Sequence, residues 1–328
     1  MPNVLITRRT HPLGVSLLQA ETDVRTLLNP SRQELMAALP DVDAMIAGVS
    51  VMFDGELLDH APRLLVLARH GVGLDNVDLK AATERGICVL YAPQAMTVAV
   101  AEHAVGLMLA VAKSFKRGDL ALREGKFHNR DLLGEVDLYG KTLGIIGCGR
   151  IGSRVSRICS RGLGMNVITY DPYITDLQAA KVDAARKQTL AEVLREADVV
   201  TLHTPLTDET RHMIGEEQLA MMKPTAYLIN TARGPVVDER ALIAALESGK
   251  IAGAGVDVFE VEPPATDNPL LSMPNVIATP HAAGSSLECM QRIALTISRG
   301  ILAVLHDQQP EAESMANPEV WARRRHAH

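Results

Sequence analysis

Three short stretches late in the chain carry the side chains best suited to acid–base chemistry. Asn230-Thr231-Ala232-Arg233-Gly234 places an arginine just past an apolar run. Gly255-Val256-Asp257-Val258-Phe259-Glu260-Val261-Glu262-Pro263-Pro264 supplies carboxylates, and Thr279-Pro280-His281-Ala282-Ala283-Gly284 supplies a histidine. Histidine is the side chain best matched to moving a proton at neutral pH. A carboxylate beside it favours the protonated ring and fixes its orientation. An arginine fork grips a carboxylate at two points and polarises a developing carbonyl. These are the parts needed to take a proton from a hydroxyl while hydride leaves the same carbon. Spacing does not choose between Glu260 and Glu262, because positions two apart in an extended segment face the same way.

Hydride transfer needs a carrier, and a site for one stands upstream. The apolar run Thr142-Leu143-Gly144-Ile145-Ile146 leads into Gly147-Cys148-Gly149-Arg150-Ile151-Gly152, after which Ile151, Val155, Ile158 and Cys159 recur at helical spacing. A lone GxGxxG is weak evidence; between a strand and a helix it becomes a dinucleotide signature. Gly147 permits the tight turn, Gly149 lets a pyrophosphate approach the backbone, and Gly152 lets the helix pack closely on the strand. Asp171 ends the next strand about 20 residues on, where a carboxylate accepts bonds from ribose hydroxyls and repels a 2′-phosphate. The expected cofactor is NAD (NADH) rather than NADP.

These groups must be positioned by strands and helices. Short β-rich apolar runs at 3–7, 44–48, 64–70 and 88–92 form one series. Runs at 142–147, 166–171, 198–203, 226–231, 253–258 and 275–279 form another. Helical patterns between them predict α/β architecture with doubly wound parallel sheets and right-handed crossovers. Residues 98–116 read as a long helix buried between two bodies, 117–140 as a polar, turn-rich stretch and 286–306 as a second long helix. The expected organisation is a substrate domain of 1–98 plus 286–328, into which a dinucleotide-binding domain of 99–285 is inserted. The cleft between them is where chemistry is expected.

Composition limits the alternatives. Of 328 residues, 47% are hydrophobic, enough to bury real cores, but only 3% are aromatic, so those cores are aliphatic. A net charge of -6 with mixed signs gives no attraction for nucleic acid. Four scattered cysteines without CxxC spacing fit a reducing compartment. No apolar run reaches the ~20 residues of a membrane span. A cytoplasmic protein with no membrane or nucleic-acid partner is expected. The histidines lack metal-ligand spacing, so no metal is expected, and no GxSxG elbow indicates a hydrolase.

The chain resembles the D-2-hydroxyacid dehydrogenase family, which includes phosphoglycerate dehydrogenases and glyoxylate/hydroxypyruvate reductases. The likeness spans nearly the whole sequence. It is carried by His70-Gly71-Val72-Gly73-Leu74-Asp75-Asn76-Val77-Asp78, the Gly140–Gly147 run, His203-Thr204-Pro205-Leu206-Thr207 and the three segments above. The resemblance implies a Rossmann NAD-binding domain inserted in a flavodoxin-like substrate domain. It makes Arg233 the substrate-binding arginine, Glu262 the histidine's partner and His281 the acid/base. It gives the nicotinamide carboxamide to Asp257 and a further cofactor contact to Thr97. The glycine turn with Arg150 and Ile151 takes the pyrophosphate, and His203, Thr204, Pro205 and Thr231 border the cofactor. Arg69, with the backbone amides of Val72 and Gly73, would meet the substrate. A homodimer formed through the cofactor domain is also implied.

Departures from the family pattern bear on substrate. Gly48 stands where phosphoglycerate dehydrogenases carry an arginine, leaving Arg69 as the cation for a phosphate. Met96 and Ala99 replace an Asn and a Ser. A small unphosphorylated 2-oxo acid such as glyoxylate or hydroxypyruvate is therefore expected, with D-3-phosphoglycerate second. An NAD-responsive, corepressor-like binding protein is the non-enzymatic alternative. His103 reads as a packed or interface histidine, and His203 as a strand-end residue near the cofactor.

Overall fold

The computed structural model describes residues 1–325, and the chain divides into two compact units, 1–96 with 284–328 and 97–283. Unit 1 is built on β1 (Asn3–Ile6), β2 (Asp23–Thr26), β3 (Ala44–Ala47), β4 (Val66–Arg69) and β5 (Cys88–Leu90). All pair in parallel, in the order β2-β1-β3-β4-β5. This is the flavodoxin-like doubly wound order, which reverses direction between β1 and β3.

Unit 2 is built on seven parallel strands. They are β6 (Thr142–Ile146), β7 (Asn166–Tyr170), β8 (Ala185–Arg186), β9 (Val199–Leu202), β10 (Tyr227–Asn230), β11 (Gly253–Val256) and β12 (Val276–Ala278). Their order, β12-β11-β10-β9-β6-β7-β8, is the Rossmann arrangement with one strand added, and it reverses between β6 and β9.

Both faces of the unit 2 sheet are apolar, as parallel sheets require. Successive residues go to opposite faces. Leu143, Ile145, Val199 and Ile229 join one buried cluster with Val155 and Cys159, while Ile146, Val200 and Leu228 join the other with Leu194, Leu219 and Leu242. The helix Thr97–Ala112 belongs to the first of these cores, burying Ala101, Ala104, Val105, Met108 and Val111 there. It is a core helix of its own unit, apolar nearly all round for that reason. It ends before Ser114, whose left-handed backbone turns the chain into the helix Phe115–Arg123. The stretch read as turn-rich therefore contains a helix, and none of its residues is buried.

Two strands escaped the sequence reading. β2 is an edge strand, Asp-Val-Arg-Thr, with three of its four residues exposed, and β8 has two residues. Neither shows the apolar run by which a buried strand is recognised. In unit 1 the helix Leu287–Leu305 starts at Ser286, whose hydroxyl accepts from the Cys289 amide. It crosses the helix Pro12–Gln19 at Gly14, where a β-carbon would stand 2.8 Å from Ala294 Cβ. Among the described residues no single helix is long and apolar enough to cross a membrane, and no cluster of three metal-ligating side chains occurs. The four cysteines are buried and free.

Candidate active site

The glycine turn joins β6 to the helix Arg150–Leu163, whose buried residues Gly152, Val155, Ser156 and Cys159 form one stripe. Gly147 has φ +87, and a β-carbon there would lie 2.8 Å from the His203 carbonyl oxygen. At Gly152 a β-carbon would come 2.2 Å from the Gly147 carbonyl oxygen, so only glycine lets helix and strand approach so closely. Gly149 differs: a β-carbon there meets nothing within 4 Å, and no side chain caps the helix that follows. The open space beside Gly149 and the amides of Arg150, Ile151 and Gly152 at a helix N-terminus suit a diphosphate.

Asp171, just past β7, is buried. One of its oxygens accepts from the Cys148 amide at 2.9 Å and the other from the Tyr173 amide at 2.9 Å. It thereby braces the glycine turn, and each oxygen keeps a lone pair for a ribose hydroxyl. His203 follows β9, the strand beside β6, and its amide donates to the Ile146 carbonyl. His203 Nε2 meets Thr201 Oγ1 at 3.0 Å, and burial pushes its pKa down to about 3. His203 Nδ1, Thr204 Oγ1 and, past β10, Thr231 Oγ1 are buried atoms without hydrogen-bond partners. Pro205 is exposed beside them, and Thr97 is the half-buried first residue of its helix. Orphaned polar atoms at the carboxyl ends of β9 and β10, beside the sheet's reversal point, fit a polar dinucleotide.

The three acid–base segments lie at the ends of β10, β11 and β12. Asn230 shapes the first: its side chain accepts from the Ala232 amide and donates to the Arg233 carbonyl, both at 3.0 Å. Arg233 Nη1 donates to the Ala232 carbonyl at 2.7 Å. A β-carbon on Gly234 would stand 1.7 Å from the Phe259 carbonyl oxygen, so this turn lies directly against the second segment.

Glu262, on that second segment, accepts from the Phe259 amide at 3.1 Å and meets His281 Nδ1 at 2.7 Å. Burial raises the pKa of Glu262, but the His281 bond and charge, the Phe259 amide and the Arg233 charge together hold it below the ordinary value. Glu260 turns elsewhere, to His212 Nε2 at 2.7 Å and the Glu239 amide at 3.2 Å. With Nδ1 of His281 directed at a carboxylate, Nε2 is left as the proton-carrying atom, on a half-exposed ring.

His281 has a left-handed backbone, φ +51, which an L-residue adopts only when held. Asp257 holds it. The Asp257 carbonyl accepts from the His281 amide at 2.7 Å, and its fully buried carboxylate accepts from the amides of Ala282 and Ala283 and from Thr279 Oγ1. Since the Thr279 hydroxyl donates to Asp257, it must accept from His103 Nε2, 3.0 Å away. Burial raises the Asp257 pKa, but these bonds outweigh it and keep the group a carboxylate. His103, which reads in the sequence as a packed or interface histidine, thus belongs to the network under the His281 loop.

In unit 1, Arg69 ends β4 and is buried, with Nε on Asn76 Oδ1 at 3.0 Å and Nη1 on the His70 carbonyl at 3.1 Å. Asn76 in turn donates to the carbonyls of Gly48 and Val51, so Arg69 braces the loop after β3. Val72 and Gly73 are half-buried, and no described residue accepts from their amides.

The model of the D-isomer specific 2-hydroxyacid dehydrogenase NAD binding domain matches residues 105–283. A glyoxylate reductase of Korarchaeum cryptofilum is 40% identical over 326 residues, 97% of this chain and 97% of its own length. A D-3-phosphoglycerate dehydrogenase of Methanocaldococcus jannaschii is 40% identical over 311 residues, 95% of this chain; the match spans 59% of that relative's length. The crystal structure of a D-lactate dehydrogenase from Aquifex aeolicus, complexed with NAD and lactic acid, superposes with a TM-score of 0.84 at 32% identity, covering 96% of this chain and 99% of the other. With the family's NAD binding domain matched over more than half of this chain and a relative 40% identical along 97% of both lengths, the chain belongs to the D-isomer specific 2-hydroxyacid dehydrogenase family.

Proposed function

We propose that the chain is an NAD-dependent dehydrogenase interconverting a small 2-oxo acid, of the glyoxylate or hydroxypyruvate type, with its D-2-hydroxy acid. The observation that carries this is the 2.7 Å contact between Glu262 and His281, in the same unit as the glycine turn. NAD, when bound, carries the hydride to or from C2. In reduction, protonated His281 gives its Nε2 proton to the C2 oxygen while Glu262 stabilises the ring's charge. In oxidation, neutral His281 takes the hydroxyl proton. The Arg233 fork holds the substrate carboxylate and polarises the C2 carbonyl. In unit 1, the amides of Val72 and Gly73, from which no described residue accepts, and the cation of Arg69 are also assigned to substrate binding. Asp257 acts through the loop it holds, with the carboxamide contact implied by family likeness. Asp171 supports NAD over NADP.

The experiment is NADH oxidation, followed by absorbance, across a panel of 2-oxo acids with phosphorylated ones included. Turnover of at least one small 2-oxo acid is expected; none with any of them would refute the reading. A homodimer through unit 2 is part of this proposal. It is supported by the helix Phe115–Arg123, which buries no residue, and by Phe115, Leu120, Leu122 and Phe127, each more than half exposed within one short stretch. Sedimentation at micromolar concentration should show a dimer, and a monomer would contradict it. Four free, buried thiols support a reducing, cytoplasmic setting.

A further inference from the structure

At the carboxyl end of the unit 1 sheet the chain leaves β1 through Thr7 and Arg8, β3 through Gly48 and β4 through His70. β1 and β3 are neighbours, and the strand order reverses between them, which is where open parallel sheets collect ligands. Arg8 stands at that point. A β-carbon built on Gly48 would lie 3.4 Å from Arg8 Cβ, an ordinary contact distance, so the side chain of Arg8 starts directly beside Gly48.

Arg8 is half-buried, burial lowers its pKa, and no carboxylate offsets the effect. Only its backbone carbonyl is engaged, by Thr10 Oγ1; among the described residues none accepts from the guanidinium. His70, near enough to feel the charge of Arg8, is kept neutral, at a pKa of about 4, first by burial and then by Arg8 and Arg69. His70 Nε2 is itself buried and without a partner. A partly buried cation without a carboxylate partner and a buried imidazole nitrogen without a hydrogen-bond partner, on neighbouring strand ends of one sheet, are the groups an anionic ligand would satisfy.

We propose that Arg8 is the cation of an oxyanion subsite at the reversal point of the unit 1 sheet. It selects, among small 2-oxo acids, those bearing a second anionic group, a carboxylate or a phosphate, beyond C2. The cation absent at Gly48 is thereby supplied from the neighbouring strand. The selectivity rests on the reaction proposed above; the anion subsite itself does not.

The test is the ratio of kcat/KM for an anion-bearing 2-oxo acid to that for glyoxylate, in the unaltered protein and in Arg8→Met. Oxaloacetate is the carboxylate arm and phosphohydroxypyruvate the phosphate arm. Removing one charge-assisted hydrogen bond should lower the ratio about 10- to 100-fold, mostly through KM, with Arg8→Lys retaining part of it. A fall in one arm alone identifies the anion. Ratios unchanged within about twofold in both arms would overturn the proposal. Where no 2-oxo acid is turned over, or Arg8→Met does not fold, melting without cofactor decides. Inorganic phosphate or succinate should raise the melting temperature of the unaltered protein, and no shift with either overturns the subsite.

Discussion

His281 Nδ1 lies 2.7 Å from a Glu262 carboxylate oxygen, and the two residues are delivered by different strand ends, β12 and β11. The relationship depends on Asp257, whose carbonyl and carboxylate together hold His281 and the two residues after it. Orientation of the ring and placement of its loop are thus handled by two separate carboxylates.

If Glu262 stabilises the charged ring, Glu262→Gln should weaken reduction more at high pH than at low pH. At the pH of best activity kcat should fall about 10- to 100-fold. Glu260→Gln, which touches His212 instead, should leave the profile in place. A shifted profile in Glu260→Gln and not in Glu262→Gln would reverse the assignment.

Two glycines of one turn should respond in opposite ways. Gly152→Ala puts a methyl 2.2 Å from the Gly147 carbonyl oxygen, and a melt should show it destabilised by about 1–3 kcal/mol or more. Gly149→Ala meets nothing, so stability should change by no more than about 1 kcal/mol. Its methyl occupies the space assigned to the diphosphate, and NADH affinity measured by fluorescence should drop at least about tenfold. Unchanged affinity in Gly149→Ala would move the diphosphate elsewhere.

Acid should destabilise the fold well above the carboxylate range. His203 and His70 have folded pKa values of about 3 and about 4, against an ordinary 6.5. Depressed values mean the unfolded chain takes up the proton first. Stability is therefore complete above pH 6.5 and is lost as pH falls towards the folded values, by up to about 1.4 kcal/mol per pH unit for each histidine. Urea unfolding at pH 7.5, 6 and 5 measures the slope, and His203→Asn should reduce it. A flat profile over that range would contradict the burial of both rings as neutral groups.

The fold class was legible because its signals are local. Alternation of β-rich runs with helical spacing, and glycines at Gly147, Gly149 and Gly152, each follow from one stretch of backbone. β2 and β8 were not, since short exposed edge strands carry no apolar pattern. The candidate acid–base segments could be found as strand-end clusters, but the choice between Glu260 and Glu262 rests on a side-chain direction that period two cannot supply. His103 was set aside because its partner, Thr279, is remote in sequence. Arg8 was missed for the same kind of reason: its relation to Gly48 exists only once β1 and β3 are neighbours.

Everything proposed for the reaction turns on His281 moving the proton that accompanies hydride transfer. The decisive quantity is kcat/KM for NADH-dependent reduction of the best small 2-oxo acid by His281→Asn, beside the unaltered protein. Loss of general acid catalysis predicts a fall of about 10²- to 10⁴-fold with NADH affinity retained. Reduction by His281→Asn at the unaltered rate would contradict that role.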